Sequence, residues 1–163
     1  MRKVYCVIAD DEELAREVIE NYISKVNELV LVASCSNGSE VYNVLQNNTI
    51  DLLFLDIEMP ELTGIALLKT LKNLPAVIIT TAYREYAVEG FDLNVLDYLL
   101  KPISFERFLK AIDKFMDKRG NIETQIRSFA NVQHDPEAFI YVRSENKMVR
   151  LLLNDILFIE GLK

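Results

Sequence analysis

At 163 residues, half of them hydrophobic, the chain can bury the core of one full domain and something extra. A formal net charge of −7 argues against a broad cationic surface of the kind that grips nucleic acid, and no apolar run approaches the ~18 residues of a membrane span. Cys6 and Cys35 have no Cys or His at metal-ligand spacing, which fits reduced, buried thiols in a cytosolic protein.

In chain order, Val4 to Ala9 is a β-rich apolar run that stops at Asp10-Asp11-Glu12-Glu13. That run is too short for a secretory signal, so the chain is expected to be soluble and cytoplasmic. Leu14, Val18, Ile19, Tyr22, Ile23 and Val26 then recur at helical spacing, with the acids gathered in the first turn where the helix dipole favours them. Leu29 to Ala33 predicts a second strand, and Val41, Val44 and Leu45 a short amphipathic helix. Leu52 to Leu55 has the length and character of a strand buried on both faces. Pro60 forces a turn, after which Leu62, Ile65, Leu68 and Leu71 predict a third helix. Ala76 to Ile79 forms a fourth strand ending at Thr80-Thr81-Ala82, and Tyr83, Tyr86, Ala87 and Phe91 outline a short helix. Val95 to Leu100 is the fifth strand, closed by Lys101-Pro102. Ser104 caps a last helix carrying Phe105, Phe108, Leu109, Ile112, Phe115 and Met116, which Arg119-Gly120 ends.

Strands alternating with helices in this way imply an α/β fold with a doubly wound parallel sheet, and at this size the common strand order is the flavodoxin-like 2-1-3-4-5. Strands one and three are then neighbours at the switch point, where ligands bind beyond the carboxyl ends of the strands. Asp10, Asp11 and Asp56 would share that crevice, flanked by Thr80 or Thr81 and by Lys101. Carboxylates 4 Å apart repel by ~4 kcal/mol per pair at an effective dielectric of 20. A hard divalent cation offsets that repulsion, and Mg²⁺ is the natural cellular choice. An ionised Asp can attack phosphorus, and Mg²⁺, an ammonium and a hydroxyl are the groups that hold the transferring oxygens.

The ordered set of Asp10-Asp11, Asp56 with Met59-Pro60 and Gly64 behind it, Thr81-Ala82, and Tyr98 three residues before Lys101-Pro102 resembles the receiver domain of bacterial two-component response regulators. The resemblance covers roughly residues 3–118. It implies that Asp56 is the phosphoacceptor, that Asp11 ligates Mg²⁺ directly and Asp10 through water, and that the backbone carbonyl of Glu58 is a third metal contact. Thr81 and Lys101 would bind the phosphoryl oxygens, Tyr98 would be the switch aromatic, and Lys101-Pro102 would be cis. Glu58 and Tyr83 fall at the two variable positions that in receivers influence attack of water on the phosphoryl group. The implied partners are a sensor histidine kinase and a second copy of the chain when phosphorylated. Such a protein is a phosphoacceptor that assists its own phosphorylation and dephosphorylation rather than an enzyme.

Residues 120–136 read as a partly helical linker, since Ile122, Ile126, Phe129 and Val132 keep a helical spacing among polar residues that include His134, the sole histidine. From Phe139 the texture changes to a β-hairpin turning at Ser144-Glu145-Asn146-Lys147, followed by a strand from Ile156 to Ile159. Phe139 to Val142, Val149-Arg150 and Asn154 to Glu160 resemble the first strands of a LytTR-type DNA-binding domain, cut short. The expected organisation is therefore a receiver over 1–119, a linker over 120–136 and an output fragment over 137–163. With four acids against four bases, that fragment is not expected to bind DNA by itself. Two other classes fit less well. A Mg²⁺-dependent phosphohydrolase of the haloacid-dehalogenase type wants a second Asp where Glu58 stands, and a receiver-like module that is never phosphorylated has no need of the intact acidic set.

Overall fold

The computed structural model describes residues 2–71, 73–83, 95–130, 139–144 and 147–152. Five strands, β1 (Val4–Ala9), β2 (Leu29–Cys35), β3 (Leu52–Asp56), β4 (Ala76–Thr81) and β5 (Asp97–Leu100), form one sheet in the order β2-β1-β3-β4-β5. All its pairings are parallel. The helices are α1 (Glu13–Ser24), α2 (Gly38–Asn47), α3 (Gly64–Thr70) and α4 (Phe105–Ala130). The flavodoxin-like order expected from the alternation of strands and helices is the one observed.

Side chains alternate across a pleated strand, so β1 sends Val4, Cys6 and Ile8 to one face and Val7 and Ala9 to the other. The first face packs against Ile19 and Ile23 of α1 and Phe108 and Ile112 of α4. The second packs against Val41 of α2 and Leu67 and Leu68 of α3. Both faces are dry, which explains why β3 is buried at every position and reads as a continuous apolar run. Phe54 stacks on Phe108 with ring centroids 5.4 Å apart, and Tyr22 closes the cluster while its hydroxyl donates to the Ile103 carbonyl at 3.0 Å. Both cysteines are free and buried, and burial pushes the thiols up to about 12 for Cys6 and about 11 for Cys35. Neither is poised to react.

Local capping follows the sequence. Thr63 accepts the Ala66 amide at 3.2 Å to start α3, Asn37 accepts the Glu40 amide at 2.9 Å to start α2, and the Ser104 hydroxyl accepts the Arg107 amide at 3.2 Å in α4. One expectation fails: Arg119-Gly120 does not end the last helix, which runs on to Ala130. A helix-interior glycine costs only ~1 kcal/mol, and Ile122, Ile126 and Phe129 continue the helical spacing behind it. The short helix expected around Tyr86 and Phe91, His134 and the strand from Ile156 to Ile159 lie outside the described residues.

The chain divides into two compact units, Met1–Lys118 and Arg119–Lys163. The second contains an antiparallel hairpin of β6 (Phe139–Ser144) and β7 (Lys147–Leu152), in a register that pairs Ser144 with Lys147 across the turn. That is the expected hairpin; Glu145 and Asn146 of the expected turn lie outside the described residues.

Candidate functional site

The carboxyl ends of β1 and β3 lie side by side, with Ala9 paired to Leu55. Each strand therefore delivers the residue that follows to the same crevice. Asp10 is fully buried, Asp56 is 5% exposed, and Asp11 is exposed at the rim. One oxygen from each lies within 4.8 Å of the others. Between the buried pair sits the Lys101 ammonium, 2.8 Å from Asp10 Oδ2, 3.6 Å from Asp56 Oδ1 and 3.1 Å from Glu12 Oε1. The Lys101 amide donates to the Thr81 carbonyl at 2.8 Å, and Lys101-Pro102 is cis, as the resemblance implied.

Burial drives the electrostatics. It pushes the Asp56 carboxyl up to about 6, with the charges of Asp10 and Asp11 adding to the rise and Lys101 opposing it. Asp10 is raised for the same first reason, against its bond to Lys101. Burial alone would lower the Lys101 ammonium, but the hydrogen bond and charge of Asp10, with Asp56 and Glu12, hold it above its ordinary range. Asp10, Asp56 and Glu12 thus share one inserted ammonium, with Asp11 a fourth acid at the rim, which leaves the pocket short of positive charge. An all-oxygen donor set of this kind suits a hard cation such as Mg²⁺, which Asp10, Asp11 and Asp56 could hold together.

The loop behind Asp56 is closed tightly. Gly64 donates to the Ile57 carbonyl at 2.9 Å, and Leu62 donates to the Pro60 carbonyl at 2.7 Å across Glu61, whose φ is 66°. That sign of φ at the centre of a three-residue turn belongs to the rarer, strained hand. Glu58 lies exposed in this loop.

The two threonines differ in a way the sequence left open. Thr80 is the register partner of Asp56, and its buried hydroxyl has no hydrogen-bond partner among the described residues. Thr81 is buried too, and its hydroxyl accepts the Tyr83 amide at 3.1 Å. Tyr98 is half-buried against the cluster on the α2 and α3 face, and its hydroxyl is buried with no partner among the described residues.

Two contributors escaped the sequence reading. Glu12, which its position groups with the acids that complement the helix dipole, makes no side-chain cap and reaches Lys101 instead. Arg16, one turn into α1, donates to the carbonyls of Asp10 and Asp11 at 2.7 and 3.2 Å. Neither carries a sequence signal beyond its position near the acid pair.

A doubly wound sheet with an acid-rich pocket and a half-buried lysine at its carboxyl edge defines a class, the α/β signal-receiver modules. The family model for the response regulator receiver domain matches residues 6–113, and the chain belongs to that family. It is 38% identical over 117 residues to the sensory transduction protein LytT of Oceanobacillus iheyensis, covering 69% of this chain and 48% of that protein. It is 30% identical over 157 residues to the transcriptional regulatory protein BtsR of Escherichia coli, covering 95% and 64%. Against the protein MrkE of Klebsiella pneumoniae the match is 29% over 98% of this chain and 60% of the relative. The chain thus spans about half to two thirds of the length of these curated relatives. Among solved structures, the response regulatory domain of MrkE superposes with a TM-score of 0.65 at 32% identity, over 71% of this chain and 97% of that one. The receiver domain of the response regulator AraT from Geobacillus stearothermophilus gives 0.64 at 31%, over 74% and 98%.

Proposed function

We propose that the chain receives a phosphoryl group on Asp56 from a sensor histidine kinase in the cytoplasm and passes the signal to a DNA-binding output domain of the whole protein. The observation that carries this reading is the pocket itself, with Asp56 buried at the end of β3 beside Asp10, Asp11 and the Lys101 ammonium. An Asp56 carboxylate oxygen attacks phosphorus, a P–O bond forms, and the bond from phosphorus to the donor breaks. Asp11, Asp56, the Glu58 carbonyl and, through water, Asp10 would hold Mg²⁺, which when bound would offset charge on the phosphoryl oxygens. Lys101 is already placed to leave Asp10 for one of those oxygens, and Thr81 would exchange its bond with the Tyr83 amide for another.

Mass spectrometry after mixing with acetyl phosphate tests the proposal. With Mg²⁺ a stable adduct of about 80 Da, one HPO₃ unit, is expected, and with a chelator none. Asp11→Ala should slow labelling by roughly tenfold or more at limiting Mg²⁺. Catalytic turnover of phosphate esters would point to a phosphohydrolase instead, and no adduct under any condition to a module that is never phosphorylated.

The output side rests on different support. Matches to BtsR and MrkE extend over nearly the whole chain, through the β6–β7 hairpin. Residues from 137 onward are read as the opening strands of a LytTR-type DNA-binding domain, joined to a receiver over residues 1–119 by the segment 120–136. The signal would leave the pocket through Thr81 and Tyr98, toward β5 and the start of α4, where two activated copies would pair. Beryllofluoride with Mg²⁺ should tighten dimerisation by roughly 5- to 100-fold in sedimentation experiments, and Thr81→Ala should remove most of that gain. Identical sedimentation of resting and activated protein would count against this route.

A further inference from the structure

Asp10 and Asp11 are fixed by different means. Asp10 is locked through its side chain, with Oδ1 accepting the Glu12 amide at 3.0 Å and Oδ2 facing Lys101 at 2.8 Å, and its own amide donates to the Cys35 carbonyl at 3.1 Å. The Asp11 side chain stands exposed at the rim. It is the main chain of Asp11 that is held, because Arg16 Nη1 donates to the carbonyl on each side of its Cα, 2.7 Å to Asp10 and 3.2 Å to Asp11. Those carbonyls belong to the two planar peptide units flanking the Asp11 Cα. Anchoring both carbonyls to one nitrogen restrains φ and ψ of Asp11, and with them the direction of its Cα–Cβ bond.

We infer that Arg16 is a positioning residue for divalent-cation binding, aiming the exposed Asp11 carboxylate at the pocket by clamping the two peptide planes around it. The inference rests on the Mg²⁺ reading of the acidic pocket and names a residue that reading does not contain. Side chains in a helix lean back toward its N-terminus, so a long residue one turn into α1 is placed to reach the loop that precedes it. Glu40 of α2, an acid within electrostatic reach of the guanidinium, is occupied by Ser36 at 2.8 and 3.1 Å and by the Asn37 side-chain amide at 3.0 Å. Lysine is no full equivalent, because its side chain ends about one bond short of the terminal guanidinium nitrogen that makes both contacts.

The sign of one measurement separates positioning from charge. A guanidinium beside a cation site repels the cation, so if its charge were all that mattered, Arg16→Met would bind Mg²⁺ more tightly. If it aims Asp11, the same change should weaken Mg²⁺ binding by roughly tenfold, the scale on which groups supporting metal ligands act. Mg²⁺ affinity can be followed by amide chemical shifts of residues 10–12 in the unphosphorylated protein. Arg16→Lys is expected to fall between wild type and Arg16→Met. Unchanged or tighter binding in Arg16→Met would overturn the inference while leaving the Mg²⁺ site intact. Should that variant not fold, wild-type affinity in Arg16→Lys would overturn it equally. Failure of the wild-type protein to bind Mg²⁺ would overturn both the inference and the reading beneath it.

Discussion

Asp56→Asn should abolish the phosphoryl adduct altogether and, in the absence of metal, make the protein more stable at neutral pH. The first effect follows from chemistry, since an amide offers no anionic oxygen to attack phosphorus. The second follows from the pocket. Burial and the neighbouring acids raise the Asp56 carboxyl from 3.8 to about 6. Between those two values the folded protein keeps a proton that the unfolded chain has already released. Stability from this group is therefore full below about pH 4, falls as pH rises toward 6, and stays low above it. The deficit at pH 8 is roughly 2–3 kcal/mol, at 1.36 kcal/mol per unit. Asparagine, similar in shape and uncharged, avoids it. Urea denaturation in a chelator should show the variant ahead of wild type by that margin at pH 8, and the gap should close by pH 4. A variant less stable than wild type at pH 8 would mean that the Lys101 contact outweighs the cost of burying the charge. Adduct formation on the variant would remove Asp56 from the mechanism.

What the sequence made legible was whatever repeats or stands at an end. Two-sided burial wrote β3 as an unbroken apolar run, and the residue that broke the run, Asp56, is a buried acid of the pocket. The strand order followed from alternation and the handedness of crossovers, and it brought Asp10 and Asp11 to Asp56 without reference to a single contact. Side-chain reach was not legible. Glu12 and Arg16 lie in a helix start where acids and bases are ordinary, and only three-dimensional packing turns one toward Lys101 and the other onto two carbonyls. The pair Thr80-Thr81 was ambiguous for a related reason. Both are buried, and their difference lies in hydrogen bonding that spacing does not encode. The end of α4 is hidden in the sequence because Gly120 looks like a stop signal, yet its local propensity is weaker than the helical pattern continuing behind it.

Gly64→Ala should destabilise the protein by about 3 kcal/mol, although local rules predict the opposite sign. Gly64 opens α3, and no glycine among the described residues has positive φ, so alanine meets no backbone penalty there. Helix propensity and reduced unfolded-chain entropy would together favour alanine by about 1 kcal/mol. The obstacle is space. A Cβ at Gly64 would collide with the Asp56 carbonyl oxygen and lie 3.1 Å from the Ile57 Cα, and both neighbours are backbone. Overpacking against atoms that cannot rotate away sits at the upper end of the 1–3 kcal/mol range. Relief would require α3 to withdraw, stretching the 2.9 Å bond from the Gly64 amide to the Ile57 carbonyl, or β3 to yield at Asp56, the proposed phosphoacceptor. Either movement shifts Asp56 relative to Lys101, so labelling by acetyl phosphate should slow as stability falls. Urea denaturation and labelling kinetics on the same preparation check both halves. A variant as stable as wild type, or more so, would show that the loop from Asp56 to Gly64 has slack to give, and that Gly64 is not what holds the start of α3 against the end of β3.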